Sequence, residues 1–214
     1  MRRAGNGEEW ASPFPFLIVH NHAMIIQLKK GRDGASTLAC IRADGSRTWG
    51  KLHPFFPLHD LTHCATESIL GFQEGFFGLV ASGWNIDDFA VKGAARRLPL
   101  QAGWAESIVG ILDLERGAGR VLSASEFNEA LAESLRGQDF AAFRELKEEE
   151  LARVRALRAR LFEQWHALPA GETLELKFPS PELLDPISDW CLEVTTRPLA
   201  DSSPAAAWAR RPQL

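Results

Sequence analysis

The chain of 214 residues contains no tyrosine, which removes every mechanism that needs a phenolic nucleophile, base or oxyanion donor. Cysteine is scarce: Cys40, Cys64 and Cys191 are too few and too scattered for a disulfide framework or a cysteine-based zinc ribbon. Their odd number fits a reducing compartment, and a cytoplasmic location is expected. Long hydrophobic runs are missing as well. The longest, from Ile69 to Trp84, is broken by Gln73 and Glu74, so no membrane span is expected. The apolar run from Phe14 to Val19 is short and holds Pro15, unlike the apolar region of a signal peptide. Nor does one sign of charge dominate. Lys plus Arg number 24 against 28 Asp plus Glu, a formal charge of -4, which argues against a nucleic-acid partner recruited by net charge.

What is present is an average composition, 45% hydrophobic and 24% charged, enough for one domain with a sizeable core. Residues 1–23 carry no clear period and read as a disordered extension. Regular patterning opens at Met24 with Met-Ile-Ile-Gln-Leu-Lys-Lys, which makes Met24 the expected natural start. The turn signals Gly31-Arg-Asp-Gly34 and Ala43-Asp-Gly-Ser46 separate strand-like runs at 25–29, 37–42 and 47–52, a three-stranded meander. A fourth run with good alternation, 173–178, is far away in sequence and is expected to join the same sheet. The expected domain spans 24–180, followed by a segment 181–214 whose tail, rich in Pro and Ala, reads as disordered.

Between the meander and the late strand the chain reads as helical. A first helix is expected at 58–70 after Pro57, and a second apolar segment is punctuated by Gly71, Gly75 and Gly78. A third helix covers 101–116. Ser123 and Glu126 form a capping-box signature that starts a fourth, ending near Gly137. The fifth runs from Asp139 as N-cap to Leu168, with Phe140, Phe143, Leu146, Leu151, Val154, Leu157, Leu161 and Trp165 along one stripe. Its acids come early and its arginines late, an order that suits the helix dipole and reads as a solvated face. The fold class is therefore α+β: a small antiparallel sheet with about five helices, one of them long and amphipathic.

One segment carries chemistry. Pro57-Leu-His59-Asp60-Leu-Thr-His63-Cys-Ala-Thr-Glu67 places two histidines four apart at the start of a helix, so both rings leave the same face. Glu67 continues that row, while Leu58, Leu61, Ala65, Ile69 and Phe72 form a separate apolar face. Two imidazoles at this spacing are a common way to hold zinc. In the HExxH arrangement the residue after the first histidine is the glutamate that activates water; here it is the shorter Asp60, which acts on the proton, orients a histidine or binds metal itself. The further ligand is Glu67, or Glu74 if the chain bends at Gly71. Asp87, Asp88 and Glu106 are reserve acids on other elements. His20 and His22 belong to the extension, His53 to a loop, and His166 suits a helix C-terminus. Cys64 turns away from His63 and reads as a small buried hydrophobe. The glycines after Leu70 match neither a P-loop nor a dinucleotide fingerprint, and no nucleophile-elbow serine is present.

The run Phe55-Phe-Pro-Leu-His-Asp-Leu-Thr-His63, with Gly75-Phe-Phe-Gly-Leu-Val80 and Gly83-Trp84, resembles a family of small uncharacterised bacterial proteins over about residues 24–131. That resemblance brings no activity with it. At the level of the motif alone, His59-Asp60-x-x-His63 with a later glutamate is similar to the HDxxH…E pattern of a ubiquinone-biosynthesis protein family. That similarity implies zinc on His59, Asp60, His63 and Glu74, with the glutamate one residue short of that family's spacing.

Two function classes follow. The first is a metal-dependent enzyme, hydrolytic in type, with a divalent ion such as zinc on His59, His63 and Glu67 or Glu74, and with Asp60 or Glu67 moving the proton of an unknown small-molecule substrate. The second is a non-catalytic protein whose helices within 125–168 bind a protein partner or a second copy of the chain.

Overall fold

A computed structural model describes residues 24–136 and 143–178. The extension 1–23 with its two histidines, Asp139 and the segment 181–214 lie outside the described residues. Three strands open the fold: β1 (Met24–Lys29), β2 (Ser36–Ile41) and β3 (Arg47–Leu52). They are joined by turns in which Gly34 and Gly45 take positive φ, the conformation that makes glycine the residue of choice there. The last described strand, β4 (Thr173–Phe178), pairs antiparallel with β1, giving the order β3-β2-β1-β4. The expected meander and late strand are both present.

Period-2 alternation sorts the sheet into two faces. Met24, Ile26 and Leu28 of β1, Leu38 and Cys40 of β2, and Leu174, Leu176 and Phe178 of β4 all point inward and are buried. Register holds them in cross-strand rows, with Ile26 between Cys40 and Leu176 and Leu28 between Leu38 and Leu174. Helices cover this face. Leu61, Cys64 and Ala65 of α1 (Phe56–Leu70), Phe77 and Val80 of α2 (Phe76–Ala81), and Leu161 and Trp165 of α5 (Glu148–Ala167) complete that core.

A second apolar cluster lies beyond the first. It joins Phe72 to Ala105, Ile108 and Leu112 of α3 (Leu100–Ala118), to Phe127, Leu131 and Leu135 of α4 (Ala124–Arg136), and to Leu146, Leu151 and Val154. α1 therefore contributes to both cores, since its last turn and Gly71 carry the chain into the second. Gly71 is left-handed (φ 70°) and ends the helix with its N–H on the Glu67 carbonyl, a glycine C-cap. Two short 3₁₀ turns, Ile86–Ala90 and Ala94–Arg97, bridge α2 to α3.

Two expectations change in detail. α5 starts at Glu148 rather than at 139, because Lys147 is extended and its N–H bonds to the Glu150 carboxylate at 3.0 Å; Phe143 and Leu146 precede the helix yet still join the second core. The arginine face of α5 is not simply solvated. Arg155 grips buried Glu115 of α3 through two hydrogen bonds of 2.6 and 3.2 Å, and Arg158 donates to the Leu112 carbonyl at 2.7 Å. The capping box expected at Ser123 forms as read, with Ser123 N–H on the Glu126 carboxylate at 2.9 Å and Glu126 N–H on Ser123 Oγ at 3.3 Å. Among the described residues no helix is long and apolar enough to cross a membrane.

Candidate metal centre

The histidine face of α1 turns toward α3. The His59 and His63 rings stack edge to face with centroids 4.9 Å apart, as the four-residue spacing dictates. α3 supplies two acids, Glu106 and Asp113, seven residues apart and hence within about 20° of one another around the helix. Each meets one histidine. Asp113 Oδ2 lies 2.8 Å from His59 Nδ1, and Glu106 Oε1 lies 3.4 Å from His63 Nε2.

His63 is buried and bound on both nitrogens. Its Nδ1 is 3.0 Å from Glu67 Oε1, the expected i,i+4 neighbour. Glu67 has no solvent exposure, and its other oxygen accepts the N–H groups of Phe77 and Gly78 at 3.0 and 3.2 Å. One carboxylate thus orients the imidazole and caps the start of α2. Gly75 makes this approach feasible: a Cβ there would stand 2.4 Å from the Glu67 carboxyl carbon. Gly78 similarly clears the Gln73 carbonyl, which a Cβ would meet at 2.3 Å.

Charges follow from these contacts. Burial alone would disfavour a protonated His63, but Glu106 and Glu67 outweigh it and push the imidazole up to about 10. Burial also works against an ionised Glu106, yet the charge and hydrogen bond of His63 hold that carboxyl below its ordinary range. Asp113 follows the same pattern, held low by His59 and Arg116 in spite of partial burial. Two buried acids go the other way: Glu67 is raised by burial, against the hydrogen bond and charge of His63 and the N–H groups of Gly78 and Phe77, and so is Asp60. It is buried, its Oδ2 has no hydrogen-bond partner, and burial pushes it up to about 7 against the opposing charges of His63 and His59.

The three groups His59, His63 and Glu106 each offer a ligand atom, and these atoms lie within 4.8 Å of one another. That group could hold a metal ion. Of the acids expected to complete it, Glu67 stands on the Nδ1 side of His63, and Glu74 is exposed on the turn before α2 with its backbone N–H on Gln101 Oε1. Asp87 and Asp88 sit in the 3₁₀ turn, where Asp88 Oδ2 accepts the Asn85 N–H at 2.7 Å. Glu106, read only as a reserve, is the acid that closes the group. Asp113 escapes a reading of the sequence altogether. The signal that could have found both is their own spacing: two acids two turns apart on α3, matching two histidines one turn apart on α1.

Aromatic side chains frame the site. Phe55 and Phe56 lie about as far from His59 as Phe76 lies from His63, with centroid separations of 5.9, 6.0 and 5.8 Å. Phe55 and Phe56 remain largely exposed, and Arg116 sits over the Phe55 ring at 5.3 Å. Cys40 is no rival nucleophile, since burial raises its thiol to about 12 and keeps it protonated. On the helices expected to serve a partner, Phe127, Leu131, Leu151, Val154, Leu161 and Trp165 are buried, while Phe143 and Leu157 are partly buried. Comparison of the chain with protein-family models, with curated proteins and with solved structures finds no match.

Proposed function

We propose that this protein is a metal-dependent enzyme of hydrolytic type, with a divalent ion, zinc by preference, on His59, His63 and Glu106. The observation that carries the reading is that each histidine has a carboxylate on Nδ1, Asp113 for His59 and Glu67 for His63. A carboxylate on one ring nitrogen fixes the tautomer and presents the other to a metal. The Glu106 to His63 distance supports the same reading. At 3.4 Å it is long for a charge-assisted hydrogen bond, which favours about 2.7–2.9 Å. The three ligand atoms lie within 4.8 Å of one another, against an edge of about 3.3 Å for a zinc tetrahedron with bonds of about 2.0–2.1 Å, so the side chains would draw together on a bound ion.

Two imidazoles and one carboxylate form a donor set suited to zinc and leave a coordination position for substrate. A divalent ion there supplies Lewis acidity to a substrate oxygen. The chain's own residues do the rest. Glu67 and Asp113 orient the rings, Glu106 offers its carboxylate from the solvent side, and Phe55, Phe56 and Phe76 restrict water. Glu67 is committed to His63 and to α2, so the proton-moving role falls to Asp60, the residue next to His59 on α1.

The test is metal content of protein purified without an affinity tag. About one zinc per chain is expected in the wild type and none in a His59→Ala/His63→Ala double variant, with Glu106→Gln losing most of it. Equal, near-zero metal in wild type and double variant would overturn the assignment.

A further inference from the structure

Glu106 belongs to two places at once. On one side it meets His63; on the other it lines a groove of about 550 Å³ between α3 and α4. Helical geometry explains this. On α3, Asp113 lies about 20° to one side of Glu106, toward the histidines, while Gly110 and Leu114 step away by about 40° each on the other. The groove therefore begins at the candidate metal centre and turns the corner of the helix.

Most of its surface is apolar, from Gly110, Ile111 and Leu114 of α3 and Ala130 of α4, with Ser107 of α3 and Glu133 and Ser134 of α4 adding polar groups. Leu114 is 72% exposed, a large apolar side chain left in water at the far end. Gly110 opens the floor, since a Cβ there would meet nothing within 4 Å. The distance along the axis from Glu106 to Leu114 is about 12 Å, room for a medium-length acyl or alkyl chain. No basic side chain lines the groove, and its charged lining residues are Glu106 and Glu133, the latter ion-paired with Arg136 at 2.6 Å. A free carboxylate or phosphate is disfavoured there, and a neutral head group is not.

We propose that the α3–α4 groove holds the apolar arm of the substrate, so that the substrate class is an unbranched acyl or alkyl chain bearing an uncharged ester or amide placed at the metal. This deepens the metal-dependent reading and rests on it. The probes are acetohydroxamate and octanohydroxamate, which share a metal-binding head and differ in tail, titrated calorimetrically into the zinc-loaded protein. Octanohydroxamate is expected to bind on the order of 50-fold more tightly, about twofold for each added methylene against about fourfold for full burial. Gly110→Phe, which fills the groove, should erase that gain and leave acetohydroxamate binding unchanged. Leu114→Glu, on an exposed position that the fold does not need, should weaken octanohydroxamate alone. Equal binding of the two hydroxamates to the wild type overturns the proposal, as does a folded Gly110→Phe protein, checked by circular dichroism, that keeps the gain. Acetohydroxamate that fails to bind at all overturns the metal reading itself, so the two failures are distinct.

Discussion

Replacing Asp60 by Asn isolates the one buried acid, among the described residues, with an oxygen that has no hydrogen-bond partner. The carboxyl is 6% exposed, and its pKa stands at about 7 against an ordinary 3.8. An acid whose folded pKa is raised adds nothing unfavourable below its unfolded value, and the folded state loses stability as pH rises from there to the folded value. Three pKa units at about 1.36 kcal/mol each make a loss of about 4 kcal/mol between pH 4 and pH 8 in the wild type. Asn cannot ionise, so the variant escapes this loss. The amide's own hydrogen-bonding needs add an offset that does not vary with pH and so cancels in the comparison. The stability difference between variant and wild type should therefore swing toward the variant by about 4 kcal/mol across that range, about 10 °C in Tm for a domain of this size. Thermal unfolding followed by circular dichroism at each pH, with chelator present, reads it directly. Parallel curves from pH 4 to pH 8 would show that Asp60 is already ionised in the folded state, and its acid–base role would fall with the argument.

Asp113→Asn should weaken zinc binding by about 10- to 100-fold while shifting the metal-free melting temperature little, as a competition titration with a chromophoric chelator would show. Arg155→Met leaves the carboxylate of Glu115, 4% exposed, without its bidentate partner and should cost about 3 kcal/mol in urea unfolding. Adding Glu115→Met should recover most of that loss, whereas an additive further loss would contradict the pairing. Lys30→Met removes an ammonium that donates to the Trp165, His166 and Leu168 carbonyls at the end of α5; a fall of about 1–2 kcal/mol is expected in the same assay.

Strands and turns were legible because their physics is local. The alternation in Ile25–Lys29 and Thr173–Phe178 and the positive-φ glycines between strands need no knowledge of the rest of the chain. The histidine pair was legible for the same reason, since four-residue spacing on a helix is itself a geometry. Its third partner was not. Glu67 and Glu74 are near in sequence, but Glu106 is near in space, brought there by the packing of α3 against α1 that no local pattern encodes. Glu67 illustrates the converse: the right neighbour of His63 by spacing, it is turned to the Nδ1 side because Gly75 lets it reach the amides of α2. The arginines of α5 looked like a solvated face because a helical wheel cannot show that buried Glu115 waits opposite them.

The pairing of β4 with β1 has a consequence for how the chain folds. The meander leaves the ribosome first, but one edge of β1 stays unpaired until the strand ending at Phe178 arrives. Until then Met24, Ile26 and Leu28 have only half of their sheet neighbours, and an open apolar strand edge is a template for self-association. A nascent or truncated chain that stops before Thr173 therefore exposes what the finished protein hides. Because so long a loop must close before the sheet is whole, folding is slow relative to helix formation, and the helix that carries the two histidines is built before the sheet that fixes it in place.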